Sequence, residues 1–97
     1  MTKITIKELV WDDYNKKHIE KHNATEKEIS EAGFNLIYHK RSEINNERYL
    51  AIGRSGKRLL TLVIHRIKTG KYYLITARDA SRKERRAVYE KEKKQIT

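Results

Sequence analysis

Between residues 35 and 78 the sequence falls into four short runs rich in Ile, Leu, Val and Tyr: residues 35–41, 47–53, 58–66 and 71–77. Asn45-Asn46, Ser55-Gly56 and Thr69-Gly70 separate them. Asn and Gly tolerate the positive φ that tight turns demand, and loops this short join neighbouring antiparallel strands. The middle of the chain is therefore bound to an antiparallel meander, and the remaining segments must pack on it.

Those segments carry helix signals. Residues 3–7 alternate, with Ile4 and Ile6 on one side, and predict a short strand. Asp12 can cap a helix running to about His22, and Asn23 can end it in a left-handed conformation. Thr25 and Glu28 form a T-x-x-E capping box that opens a second short helix through Ile29 and Ala32, with Gly33 as its stop. Ser81 and Glu84 form a further box, S-x-x-E, opening a charged helix to about Lys94. Its apolar positions, Ala80, Ala87 and Val88, make only a narrow docking stripe. The predicted order is β-α-α-β-β-β-β-α. This is an α+β fold: a twisted antiparallel sheet with two N-terminal helices and one C-terminal helix. There is no proline, repeat or linker-like stretch, so residues 1–97 are expected to form one domain.

Composition narrows the function. The chain has no cysteine, which excludes disulfides and thiolate metal sites. No apolar run approaches the roughly 20 residues of a membrane span, and the N-terminus lacks a secretory pattern. A cytoplasmic protein with no membrane partner is expected. The net charge is +10, and the excess is uneven. Residues 1–35 hold six basic and seven acidic side chains, residues 36–77 nine and two, and residues 78–97 eight and four. A concentrated cationic surface attracts polyanions and releases their counterions, which points to nucleic acid. No P-loop, G-x-G-x-x-G, G-x-S-x-G or paired-carboxylate signature is present.

Three groups of residues can serve such a function. His18 and His22 are four apart on the first helix and share a face with about 6 Å between Cβ atoms. They fit a hydrogen-bonded polar face, a zinc pair lacking a third ligand, or proton transfer and phosphate contact on RNA. Asn15 and Lys21 are placed beside them as RNA contacts. Arg48 has the parity of Leu50 and Ile52, so its guanidinium stands on an apolar-flanked face. Arg48 and Arg78 fit either ion pairs, with Glu47 or Asp79 as partners, or fixed forks for phosphate. On the last helix Arg85, Arg86 and Lys93 surround Tyr89, with Arg82 one turn earlier. An aromatic ring among cations can stack a base while its neighbours hold the backbone, although a solvated helix looks the same.

In order, the segments WDDYNKKHIEKHNAT, EKEISEAG, ERYLAIG, RLLTLVIHR and ITARDASRKERRAVY resemble the BrnT ribonuclease toxins of toxin–antitoxin pairs, over about residues 8 to 90. The resemblance implies a RelE-like α+β fold and metal-independent RNA cleavage by 2′-hydroxyl attack on the adjacent phosphate. It also implies a cognate antitoxin encoded nearby, held with the toxin in a hetero-oligomeric complex. No cofactor or metal is implied. Arg48 and Arg78 match the family pattern and would clamp phosphate, with His18 and His22 as the candidate acid and base. The main branch of the family carries lysine nearest to Asn15 and one more residue before its histidine, so His22 has a closer counterpart than His18.

Two other functions fit the charge: a basic RNA- or DNA-binding module without catalysis, and a structural partner active only in a complex. Geometry discriminates, because an enzyme needs His18 or His22 beside Arg48 and Arg78 in one concave site.

Overall fold

A computed structural model describes residues 4–96. In chain order the elements are β1 (Glu8–Val10), α1 (Asp13–Ile19), a 3-10 turn (Glu20–His22), α2 (Glu26–Phe34), β2 (Leu36–Arg41), β3 (Arg48–Ser55), β4 (Arg58–Lys68), β5 (Lys71–Asp79) and α3 (Arg82–Ile96). Strands β2 to β5 pair antiparallel in succession. Gly56 and Gly70 turn two of the hairpins at φ 61° and 83°, a conformation that costs glycine little.

The sheet as a whole is mixed, a correction to the all-antiparallel expectation. β1 adds parallel to β5, giving the order β1-β5-β4-β3-β2. The first strand also begins later than residues 3–7. Lys3 lies outside the described residues, while Ile4 and Ile6 are buried as their alternation suggests. Pairing starts where the N–H groups of Lys7 and Glu8 both donate to the Gly70 carbonyl, at 2.8 and 3.0 Å. β5 begins at Lys71, so earlier residues have no strand beside them.

The helices start where their caps dictate. Asp12 accepts from the Asn15 N–H at 2.9 Å, and the Asn15 side chain accepts from the Asp12 N–H at 2.8 Å. α1 is short and tightens into the 3-10 turn, which Asn23 ends in the left-handed region at φ 54°. Thr25 and Glu28 cap α2 reciprocally. Gly33 does not stop that helix. It is buried within it, and Asn35 caps the end by donating to the Glu31 and Ala32 carbonyls. The helix packs closely there: a Cβ at Gly33 would sit 3.3 Å from Leu9 Cδ1, a tight contact that Leu9 would have to yield to.

The sheet has a thick face and a thin one. Ile4, Ile6, Leu9, Ile19, Ile29 and Ala32 pack on Leu60, Leu62, Ile64, Tyr72, Leu74 and Ala77. On the opposite face Ile52 and Leu59 receive only Ala80 and Val88 of the α3 stripe, flanked by Ile37, Tyr38 and Leu50. Among the described residues no helix is long and apolar enough to cross a membrane.

α2 lies so close to β3 that a Cβ on Gly53 would overlap the Ala32 carbonyl, which is backbone and cannot swing aside. Gly53→Ala is expected to destabilise the fold by at least about 1–3 kcal/mol, the usual cost of overpacking. Urea unfolding checks this, and an unchanged midpoint would contradict the close approach.

Candidate nucleic-acid site

Residues directly opposite one another in a sheet share a face, with Cβ atoms about 4.5–5.5 Å apart in antiparallel pairs. The registers therefore give three rows across the thin face. The first is Arg48–His65–Tyr73, the second Lys40–Leu50–Val63–Thr76, and the third Tyr38–Ile52–Thr61–Arg78. An extra residue, Ile75, bulges from β5 where its register with β4 shifts between Val63 and Ile64. α3 covers the third row and leaves the first open: Arg48 is exposed, and His65 and Tyr73 are half-buried. Lys40, Arg48, Leu50 and Val63, with the 42–44 loop, line a hollow of about 430 Å³.

Pairing separates the arginines. Arg54 bonds Glu92, Arg66 bonds Glu47, and Arg58 is shared by Asp79, Glu28 and the Asn23 carbonyl. Glu47 and Asp79 are thereby taken, so neither pairs with Arg48 as the ion-pair alternative required. Arg48 has no side-chain partner among the described residues. It is exposed, which removes the need for one. Glu47, expected to begin the strand, lies in the turn just before β3 and is engaged with Arg66.

Arg78 is held firmly. Its two terminal nitrogens donate to the two Glu84 carboxylate oxygens at 2.7 and 2.9 Å, and one also donates to the Asp79 carbonyl at 3.2 Å. Glu84 accepts in addition from the Ser81 N–H at 2.7 Å and from the buried Thr61 hydroxyl at 3.0 Å. The guanidinium keeps its Nε–H and one terminal N–H for a further acceptor. At about 3.3 Å per residue and about 4.8 Å per strand, Arg48 and Arg78 stand roughly 16 Å apart at Cα. They cannot close on one small group like tongs, but they can hold neighbouring phosphates.

The first-helix residues divide. Asn15 is fully buried: its amide donates to the Val10 and Leu74 carbonyls at 2.9 Å each while its oxygen completes the cap. It anchors α1 to the edge of β5 and has no surface to offer RNA, a correction to its expected role. Tyr14, His18 and His22 form a ring ladder, with centroids 6.3 and 5.7 Å apart. Lys17 and Lys21 flank it, and Tyr14, Lys17, His18 and Lys21 line a shallow hollow. Neither histidine shares a described hollow or hydrogen bond with Arg48 or Arg78, so the expected single concave site is not assembled. No group of three His, Cys, Asp or Glu side chains gathers among the described residues.

On α3, Arg82, Arg85, Arg86, Tyr89 and Lys93 line one hollow of about 370 Å³, with Tyr89 half-exposed. Arg85 also donates to the Ala80 carbonyl at 3.1 Å. The sequence reading missed His65. Its signal lies in RLLTLVIHR, where Leu60, Leu62 and Ile64 face the thick core and His65 has the other parity.

The Arg78 hydrogen bonds, then those from Ser81 and Thr61, outweigh burial and hold the Glu84 carboxyl at about 2 against an ordinary 4.5. A depressed carboxyl stabilises the fold fully above its unfolded value and ceases to as pH falls through its folded one. The contribution is on the order of 2 kcal/mol after allowance for the half-exposed arginine. The stability gap between wild type and Glu84→Gln should thus be widest near neutrality and shrink from pH 4.5 to 2. A gap independent of pH in urea titrations would contradict this pairing. By the same contact, Arg78→Ala is expected to loosen α3 rather than leave the fold untouched.

Comparison with known proteins bears on this arrangement. A search of the curated proteins returned no match. The family model described as the ribonuclease toxin BrnT of type II toxin–antitoxin systems matches residues 11–84. That span opens at Trp11, includes Asn15, His18, His22, Arg48, His65 and Arg78, and closes on Glu84, the partner of Arg78. It covers well over half of the sequence, and the chain belongs to the BrnT family of ribonuclease toxins of type II toxin–antitoxin systems.

Proposed function

We propose that this protein is a metal-independent endoribonuclease toxin that cuts RNA on the thin face of its sheet. A ribose 2′-hydroxyl attacks the adjacent phosphate, and a cognate antitoxin covers the site until released. The observation that carries this reading is an exposed guanidinium, Arg48, without a side-chain partner among the described residues, on an open sheet face of a ribonuclease-toxin family member. A phosphorane gathers negative charge, and a guanidinium carried on a paired strand is placed to meet it. Lys40 and Arg48 hold phosphate at one end of the face and Arg78, oriented by Glu84, holds it at the other. RNA would leave over α3, where Tyr89 stacks a base among Arg82, Arg85 and Arg86. His18, His22 and Lys21 contact the strand beyond the β5 edge. The β-sheet with its flanking helices supports a RelE-like assignment, and the cationic surface suits acidic side chains of a protein partner in a cytoplasmic complex.

The Tyr89 hollow equally suits a module that binds nucleic acid without cutting it, and one experiment separates the two. Toxin freed from its antitoxin is mixed with RNA in excess chelator. Cleavage is expected to persist, leaving 5′-hydroxyl ends. Arg48→Ala should slow it by about 10²-fold, the usual cost of one electrostatic contact to the transition state. Its stability should stay within about 0.5 kcal/mol, as for other exposed positions. Binding without cleavage would favour the non-catalytic module. Loss of activity in chelator would overturn the metal-free chemistry, and an Arg48→Ala protein at the wild-type rate would remove Arg48 from the site.

A further inference from the structure

We propose that His65 is the general base of the cleavage reaction, a role that rests on the ribonuclease reading above. His65 lies directly opposite Arg48 on β3 and directly opposite Tyr73 on β5. Such pairing puts its imidazole within side-chain reach of the one strand guanidinium that lacks a partner among the described residues. β4 is hydrogen-bonded on both sides, so the ring stands on a backbone that moves little, as a proton-transfer group must. Histidine is also the side chain whose ordinary titration falls near neutrality.

The surroundings leave the ring free for this task. The Tyr73 hydroxyl donates to the Asp12 carboxylate at 3.0 and 3.1 Å, which commits that proton elsewhere. Glu47 is engaged by Arg66 at 2.9 Å. Arg48 and Tyr73 are the register partners of His65 on β3 and β5, Glu47 acts on it by charge from the β2–β3 loop, and Lys71, of the same parity as Tyr73, is paired with Glu8. His65 has no hydrogen-bond partner among the described residues and is half-buried. His18 and His22 are half-buried as well, and differ from His65 in where they stand. His18 is on the seven-residue α1 and His22 in the 3-10 turn after it, outside the Arg48–His65–Tyr73 row; the His18 ring stacks on Tyr14 and meets His22 at a tilt. The register also shifts at Ile75, close to the Tyr73 row, and bulges commonly re-aim side chains beside active sites.

The step balances without any further reagent. With a phosphate seated on Arg48, the His65 imidazole takes the proton of the 2′-hydroxyl. The 2′-oxygen forms a bond to phosphorus and the bond from phosphorus to the 5′-oxygen breaks. The leaving 5′-oxygen takes a proton from water and His65 returns its own to water. The products are a 2′,3′-cyclic phosphate and a 5′-hydroxyl.

The test compares His65→Gln, His65→Ala and the His18→Ala/His22→Ala double variant on a short RNA. A second RNA carries sulfur in place of the scissile 5′-oxygen, which leaves without needing a proton. His65→Gln is expected to lower kcat by about 10²–10⁴-fold on both RNAs with little change in RNA affinity, while the double variant acts on KM. Added imidazole should raise the rate of His65→Ala but not of Arg48→Ala, a readout that holds even where the substitution weakens the fold. Sulfur restoring the wild-type rate to His65→Gln would make His65 the acid and overturn its role as base. Wild-type cleavage by His65→Gln would overturn the proposal and leave the ribonuclease reading standing. A wild-type protein that cuts no RNA would overturn both.

Discussion

Glu84 receives the Arg78 guanidinium, the Ser81 N–H and the Thr61 hydroxyl on a single carboxylate. α3 has little else to hold its start. Its apolar stripe amounts to Ala80 and Val88 against Ile52 and Leu59, and a fully buried aliphatic side chain contributes only about 1.5–3 kcal/mol. The carboxylate therefore fixes where the helix begins and at which end of the thin face it lies. What α3 covers becomes core, and what it leaves uncovered becomes the open rows of Arg48 and Lys40. The same contact orients Arg78 without exhausting its donors, so one acidic side chain both seats α3 and holds a guanidinium beside it.

A sheet buried on one side and half-covered on the other is how a small chain reconciles stability with a cationic surface. The thick face takes Leu60, Leu62 and Ile64 fully out of water. The thin face can then carry Lys40, Arg48, His65 and Thr76, whose charges and hydroxyl would be costly to bury. Most remaining sheet arginines are neutralised where they brace the fold: Arg58 between Glu28 and Asp79, Arg66 on Glu47, Arg54 on Glu92. Net charge alone does not distinguish bracing arginines from free ones. The ion-pair geometry does.

Local signals were legible in the sequence because they are local. The Asp12, Thr25 and Ser81 caps, the left-handed Asn23, the Gly56 and Gly70 turns and the parity of Arg48 with Leu50 and Ile52 all depend on residues a few positions apart. Long-range relations were not. Nothing near Glu8 announces that it will pair with Lys71. Gly33 reads as a helix stop, yet lies buried inside α2 with Leu9, Leu62 and Ile6 around it. Asn15 looks like a polar contact, yet its amide is consumed by the Leu74 carbonyl, fifty-nine residues away. His65 was overlooked because it ends an apolar run, and its neighbours Arg48 and Tyr73 are brought beside it only by the register of three strands.

The Gly70 carbonyl, which accepts from Lys7 and Glu8, sets an order of events during synthesis. The first strand to leave the ribosome can join the sheet only after the last hairpin has closed, because its sole neighbour is β5. Until then Ile4, Ile6 and Leu9 have no finished surface to cover, and α1 lacks the Leu74 carbonyl that anchors it. Contacts separated by some sixty residues form late. The nascent chain thus holds neither a seated β1 nor an anchored α1 until β5 has formed, and the edge of the sheet nearest the N-terminus is the last to be finished.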